Sequence, residues 1–329
     1  MATPLSWPKH VYKLTPGDIH YLQRTHPEVP LWRTSLLREL TPQADDSEIV
    51  ASAQTTFGGI RLRAMRIHGG PHSITDLVKK LHRIPTKPHE NLIQIRGLYA
   101  VDDEPLSLFS LDAPRITVMQ YIFTHPHQDR RQMCADVARG LDHLHRVEIV
   151  HGAVRPANIL VRPDGVCMLG EPSDEDIPHP GALTRLAPYL APELFDPAAY
   201  AIFAIDNYRR DEYSGEYRVE SDIYALGATT IEMYTSTPPA PFHIPFKTIT
   251  TSKELFHLTR TPSTAEVEVI PHRIRAALSD IMHVLPYHRP HSGNALQWLE
   301  RPDVMRVRAC APVNAKTRMR RAARAFWAA

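Results

Sequence analysis

Two patterns of apolar positions divide the chain. From about Ile49 to Ile122 the apolar runs are short. Ile60-Arg-Leu-Arg-Ala-Met-Arg-Ile67, after Gly58-Gly59, alternates in part, as a half-buried strand does. One helix interrupts this strand-rich section. Ser73 to Ile84 places Ile74, Leu77, Val78 and Leu81 on one face. The second half is helical. Arg131 to His145 carries Val137, Leu141 and Leu144 on its inward side, and a short strand pair follows about the turn Arg162-Pro163-Asp164-Gly165. Ahead of all this, residues 1–45 are punctuated by Pro4, Pro8, Pro16, Pro27 and Pro30. Within them Trp32 to Leu40 reads as a short helix with Leu36, Leu37 and Leu40 on one side. We expect this region to be an N-terminal extension packed on the domain.

Composition changes the picture in three places. With 329 residues, 43% hydrophobic and 22% charged, the chain is sized for a sizeable core and has a globular balance. No apolar run approaches the roughly 20 residues of a membrane helix, and Met1 to Lys13 lacks the apolar stretch of a signal peptide, so a cytoplasmic protein is expected. Cys134, Cys167 and Cys310 are odd in number and far apart, which suggests neither a disulfide framework nor a zinc site. Net charge is +2 but unevenly placed. From Arg301 onward there are eight basic residues and one acid, so this tail carries +7 and the remainder −5. A solvated or surface-docked helix accounts for such a tail. Contact with nucleic acid or an anionic membrane, and nuclear localisation, are the alternatives.

The richest stretch is Ile149-Val-His-Gly-Ala-Val-Arg-Pro-Ala-Asn-Ile-Leu160. It resembles the catalytic loop of protein kinases, H-R-D-L-K-P-x-N-I-L, at His151, Arg155, Pro156, Asn158, Ile159 and Leu160. Other landmarks follow the family's order and spacing between about residues 49 and 300. His89 to Ile95 resembles the turn into the fourth strand of the small lobe. Leu190-Ala-Pro-Glu193 resembles the A-P-E closing the activation segment. Ser221 to Gly227 resembles the start of the buried central helix, and Thr237 to Phe242 the turn after it. Leu285 to Pro290 resembles D-P-x-x-R-P, with Leu285 in the aspartate's place. The resemblance implies an α+β, bilobal fold. Residues 46–122 would form a small β-rich lobe with one main helix and 123–300 a large α-helical lobe, flanked by the 1–45 extension and the 301–329 tail. The phrasing looks most like fungal tyrosine-kinase-like serine/threonine kinases.

The chemistry that the resemblance implies needs magnesium and a lysine to neutralise phosphates, a glycine-rich loop to cover them, and an aspartate to orient the acceptor. The glycine-rich loop falls on Ser47 to Phe57, which has no glycine. The strand lysine falls on Arg63, and the helix offers only Asp76 as a partner acid. Ile116 to Ile122 would be the strand entering the hinge. Met119 would be the gatekeeper, and Gln120, Tyr121 and Ile122 would face an adenine; with Arg63 and Asn158 they complete a nucleotide cleft. The D-F-G segment falls on Gly170-Glu171-Pro172, so no carboxylate stands where magnesium is held, and the amide of Asn158 is a poor site for a hard cation alone. Ala153 replaces the base, Arg155 the adjacent lysine and Gly152 an arginine. No metal and no cofactor are expected, with ATP in that cleft as the alternative. The supports are present: Glu193 and Arg289 as a buried ion pair, Asp222 bonded to the 151–155 backbone, and His151 beneath the cleft. His143 and His145 read as packing and helix-end residues.

The favoured reading is a catalytically inactive kinase-like domain, a pseudokinase, that acts as a scaffold or allosteric partner of other signalling proteins. Between Glu193 and Asp222 lie 28 residues, longer than the family's span; the 196–220 loop, with its tyrosines and mixed charge, is the candidate contact. The alternatives are an atypical active protein kinase using Arg63, Arg155 and Glu171 or Asp164, an anion-binding module acting through residues 301–329, and a degenerate copy without a role.

Overall fold

The computed structural model describes residues 31–32, 40–42, 48–51, 62–66, 89–93, 95–99, 107–111, 116–170, 172, 186–195, 216–241 and 260–300. Its first half is a six-stranded sheet of β1 (Leu31–Trp32), β2 (Leu40–Pro42), β3 (Glu48–Ala51), β4 (Leu62–Arg66), β5 (Ile95–Tyr99) and β6 (Ser107–Leu111). The spatial order is β1-β5-β6-β4-β3-β2. Only β1 with β5 is parallel; β2, β3, β4, β6 and β5 are joined antiparallel in turn. The alternation predicted over 60–67 appears as β4, in the sheet interior. Two strands, β1 and β2, come from within residues 1–45, so this extension contributes to the sheet. The short helix expected over Trp32 to Leu40 is corrected at both ends, because Trp32 and Leu40 are paired as strands. The helix predicted over 73–84 lies outside the described residues, as do the 196–215 insertion and the 301–329 tail.

The second half is built from α1 (Val118–Thr124), α2 (Arg130–Arg146), α3 (Pro192–Phe195), α4 (Val219–Thr235), α5 (Thr264–Val269), α6 (His272–Ile281) and α7 (Ser292–Glu300). A small sheet of β7 (Ile116–Thr117), β8 (Ile159–Val161) and β9 (Cys167–Leu169) lies beside them, antiparallel throughout. Two of the helix starts show a side-chain cap plainly. Asp129 caps α2 by accepting the Arg131 and Gln132 amides at 2.9 and 3.2 Å, and Ser263 accepts the Glu266 amide at the head of α5. The core centres on α4, which is buried from Ser221 to Ile231. Packed with it are Met133, Val137, Leu141 and Leu144 of α2, Ile274, Leu278 and Ile281 of α6, and Leu299 of α7. Each such side chain contributes about 1.5–3 kcal/mol by leaving water. The apolar face predicted for residues 131–145 is this buried face.

The segment ahead of β5 is fastened to the helical half. The Ile93 amide donates to the Leu169 carbonyl and the Leu169 amide to Asn91, both at 2.9 Å, while Asn91 Nδ2 donates to Cys167 at 3.0 Å. α2 takes part through a close approach, since a Cβ at Gly140 would lie 2.5 Å from the Asn91 carbonyl oxygen. Asp136 completes the junction, accepting from the Cys167 amide at 3.0 Å and from Arg139 at 2.8 Å.

Candidate functional site

The loop 149–158 leaves α2 and enters β8, and one carboxylate shapes it. Asp222, in the first turn of α4 and 1% exposed, accepts the His151 amide on Oδ2 at 2.7 Å and the Gly152 amide on Oδ1 at 2.8 Å. His145 Nε2 lies 2.9 Å from the same Oδ2. Such charge-assisted bonds from backbone N–H fix a loop that has no regular ladder of its own. His151 is fully buried. Its Nδ1 accepts the Ala153 amide at 3.1 Å, so its Nε2 carries the proton and donates to the Gly170 carbonyl at 3.2 Å. The imidazole therefore clasps the loop to the end of β9. His143 stacks on His89 with ring centroids 4.5 Å apart.

At position 153 the side chain is a methyl group, and residues 151–158 contain no carboxylate. The acid that shapes this loop, Asp222, is committed to the two amides and to His145. Beyond β9 the geometry is more restrictive. Asn158, 2% exposed, donates from Nδ2 to the Ala153 carbonyl at 3.3 Å. Its Oδ1 would lie 1.9 Å from a Cβ built on Gly170. The space into which any side chain at 170 would grow is already filled by Asn158. Among the described residues this corner offers a neutral amide, where a hard dication needs carboxylates, and a side chain on Gly170 would have to displace Asn158. No group of three or more metal-binding side chains occurs among the described residues.

Arg155 faces the other side of the loop. Its Nε is buried with no hydrogen-bond acceptor among the described residues. A cavity of about 20 Å³, lined in part by Ala153, Arg155, Leu186 and Tyr189, lies here. It holds roughly one water at most. Tyr189 donates its hydroxyl to Glu232 of α4; burial first, then this bond and the Glu232 charge, push the phenol well above its usual range. Burial also raises the Glu232 carboxyl, an effect partly countered by the bond from Tyr189. Sequence reasoning missed this pair, and only the helical register of Glu232 hinted at it. Glu193 and Arg289 form a two-pronged ion pair at 2.6 and 2.7 Å. The other three guanidinium N–H groups donate to the carbonyls of His283, Glu220 and Val284 at 2.8, 3.0 and 3.2 Å. Leu285, where the resemblance has an aspartate, is 2% exposed and part of the core. The thiols have no reactive setting, since burial pushes Cys134 up to about 12 and raises Cys167 further.

The strand expected over Ile116 to Ile122 is corrected beyond its second residue. The strand through Ile122 stops at Thr117, and Met119, Gln120, Tyr121 and Ile122 lie in α1. The cause is a capping box. Thr117 Oγ1 accepts the Gln120 amide at 3.4 Å, and the Gln120 side chain accepts the Thr117 amide at 2.9 Å. The Tyr121 carbonyl accepts from His125 at 2.8 Å, so this group serves the end of the helix. Arg63 lies in the interior strand β4, opposite Val50 on one side and Ser110 on the other. The stretch assigned to the glycine-rich loop contains β3. At this sheet edge β2 pairs antiparallel with β3, and residues 43–47 between them in sequence also have no glycine. Asp76 and Glu171 lie outside the described residues. No described helix is long and apolar enough to cross a membrane.

Comparison with known proteins agrees with this framework. The family model described as protein kinase domain matches residues 75–299. The chain is 21% identical over 272 residues to the serine/threonine-protein kinase TAO1-B of Xenopus laevis, covering 80% of this chain and 24% of that protein. It is 26% identical over 167 residues to the serine/threonine-protein kinase Tao of Drosophila melanogaster, covering 50% and 15%. Extracellular signal-regulated kinase 1 of Dictyostelium discoideum is 25% identical over 161 residues, covering 44% and 30%. The chain thus spans less than a third of the length of each of these relatives.

Proposed function

The chain belongs to the protein kinase domain family, and from that premise we propose that it is a catalytically inactive member acting by binding, as a scaffold or allosteric partner of another signalling protein in the cytoplasm. The observation that carries this reading is the corner between Asn158 and Gly170. A Cβ at 170 would meet Asn158 Oδ1 at 1.9 Å, so the place of a metal-holding carboxylate is sterically taken. Ala153 adds an independent loss, because a methyl group neither accepts a proton nor orients a hydroxyl. Each missing group costs orders of magnitude in rate, at about tenfold per 1.4 kcal/mol, and the losses act on different parts of one transition state. The supports built by Asp222, His151, Glu193 and Arg289 favour a protein retained as a rigid frame.

The test is a thermal shift of the full chain with ATP, with and without Mg²⁺, alongside phosphate release. A ligand at 100 times its dissociation constant adds about 2.7 kcal/mol, and this reading expects no magnesium-dependent shift and no turnover. A shift that requires magnesium, together with turnover abolished by Glu171→Ala, would overturn it in favour of an atypical kinase.

A further inference from the structure

Three partly or fully buried arginines of the helical half are met by acids of the protein itself. Arg289 grips Glu193 on two prongs, Arg139 reaches Asp136 at 2.8 Å and Glu300 at 2.9 Å, and Arg260 holds Glu266 at 2.6 and 2.7 Å. Arg155 departs from this. Its Nε, like that of Arg275, is buried without an acceptor among the described residues, and Arg155 stands on the wall of the cavity of about 20 Å³. A guanidinium drawn from water without an acceptor is costly, so an acceptor brought from outside supplies what the fold does not. Three other polar groups of this cavity already have partners. Asp222 accepts two amides and faces His145, Ser221 Oγ exchanges bonds with the Arg218 backbone at 2.7 Å, and the Tyr189 hydroxyl donates to Glu232. Leu186, Leu190, Leu194 and Ala225 add apolar walls. Residue 153 decides the sign of the site. Ala153 lines the same cavity, where a carboxylate would set a negative charge beside the guanidinium and a methyl group sets none.

We propose that Arg155 and this cavity receive the carboxylate of an Asp or Glu carried on a partner protein, one oxygen entering toward Nε and the apolar neighbours of that acid meeting the leucine walls. This deepens the binding reading above and rests on it. Size and charge together select the occupant. The space of about one water admits a single oxygen, which a side-chain carboxylate presents while its backbone stays outside. Its bond to a guanidinium is charge-assisted, roughly twice as strong as a neutral one.

A random peptide library selected in parallel against the full chain and its Arg155→Met variant tests this. The unmodified chain should enrich one acidic position flanked by apolar residues, and Arg155→Met should lose that enrichment. The selected peptides should bind Arg155→Met and Ala153→Asp about tenfold more weakly or worse, the second because it places a competing carboxylate in the cavity. Arg155 has no acceptor to lose, so the thermal midpoint of Arg155→Met should equal or exceed that of the unmodified chain. A midpoint lowered by several degrees would mean that the fold uses this guanidinium, and would overturn the proposal. So would the absence of an Arg155-dependent acidic position, unchanged affinity in Ala153→Asp, or free acetate binding as tightly as the selected peptides. Failure here with no ATP turnover rejects the site but leaves the inactive-scaffold reading standing; turnover rejects that reading whatever the peptides do.

Discussion

Gly170→Ala adds one methyl group, and the structure gives its consequence a size. The new Cβ would meet Asn158 Oδ1 at 1.9 Å and Cγ at 2.7 Å, and the Asn158 carbonyl oxygen at 2.8 Å. Contacts that short are not absorbed in place, so Asn158 must rotate and β8 must shift. Rotation removes the bond from Asn158 Nδ2 to the Ala153 carbonyl and leaves buried polar groups short of partners. Overpacking costs about 1–3 kcal/mol and a lost hydrogen bond about 1 kcal/mol more. A Gly→Ala change without strain stabilises by about 0.4–1 kcal/mol through the unfolded chain. The net is a destabilisation of about 2–3 kcal/mol, or roughly 4–12 °C in the midpoint of a domain of this size.

Chemical denaturation in a double-mutant cycle reads this directly. In an Asn158→Ala background the same Gly170→Ala change should cost less than about 1 kcal/mol, which gives a coupling of about 1–2 kcal/mol between the two positions. Gly293→Ala in α7, whose Cβ would have its nearest neighbour at 3.3 Å, is the control and should stay within about half a kcal/mol. A neutral Gly170→Ala, or an equal cost in both backgrounds, would refute the claim that Asn158 occupies this corner. The reading of the site would fall with it.

Two further outcomes follow from the helical half. Arg289→Met leaves Glu193 buried and unpaired and should cost about 3–5 kcal/mol; adding Glu193→Leu should recover part of that, though not the carbonyl bonds to His283, Glu220 and Val284, and urea titration of the three variants checks the order. His283 is pushed down to about 4, by burial first and the neighbouring His288 second, from an ordinary 6.5. The unfolded chain takes up its proton near 6.5 and the folded chain only near 4, so His283 leaves stability unchanged above 6.5 and lowers it progressively as pH falls from 6.5 to 4. After discounting for partial exposure the loss is about 2 kcal/mol, and His283→Asn should flatten that part of the pH profile in unfolding experiments.

The helical half was legible because its identities sit at fixed spacings that a fold enforces. Glu193 and Arg289 are 96 residues apart yet share one two-pronged contact, so each predicts the other once the framework is recognised. Short elements were the weak point. The apolar run Ile116 to Ile122 suits a strand or a helix on length alone, and the deciding signal was Thr117-x-x-Gln120, a capping box visible in the sequence but outweighed by the resemblance. Trp32 to Leu40 failed for another reason: sheet pairing with β5 and β3 claimed its ends, and tertiary pairing overrides a weak local helical pattern. The steric use of Gly170 left no mark in the sequence, because a glycine replacing an acid reads as a loss and nothing local shows that another side chain has filled the gap.

The supports persist for a reason independent of catalysis. Asp222, His151 and Arg289 each satisfy several buried backbone groups: two amides for Asp222, an amide and a carbonyl for His151, three carbonyls for Arg289. Removing any one leaves those groups buried without partners, at about 1–3 kcal/mol each. Losing two such residues would cost about 4–15 kcal/mol, comparable to the whole stability of about 5–15 kcal/mol of a domain. The base and the metal-holding carboxylate carry no such burden. On the proposed inactive reading, Ala153 and Gly170 stand where those groups would face substrate and ion, so neither leaves a buried partner, and Asn158 fills the space beside Gly170. A chain under selection for its shape alone keeps the first set and is free to lose the second, and that division runs through the 151–158 loop itself, with His151 held on both ring nitrogens two residues before the alanine.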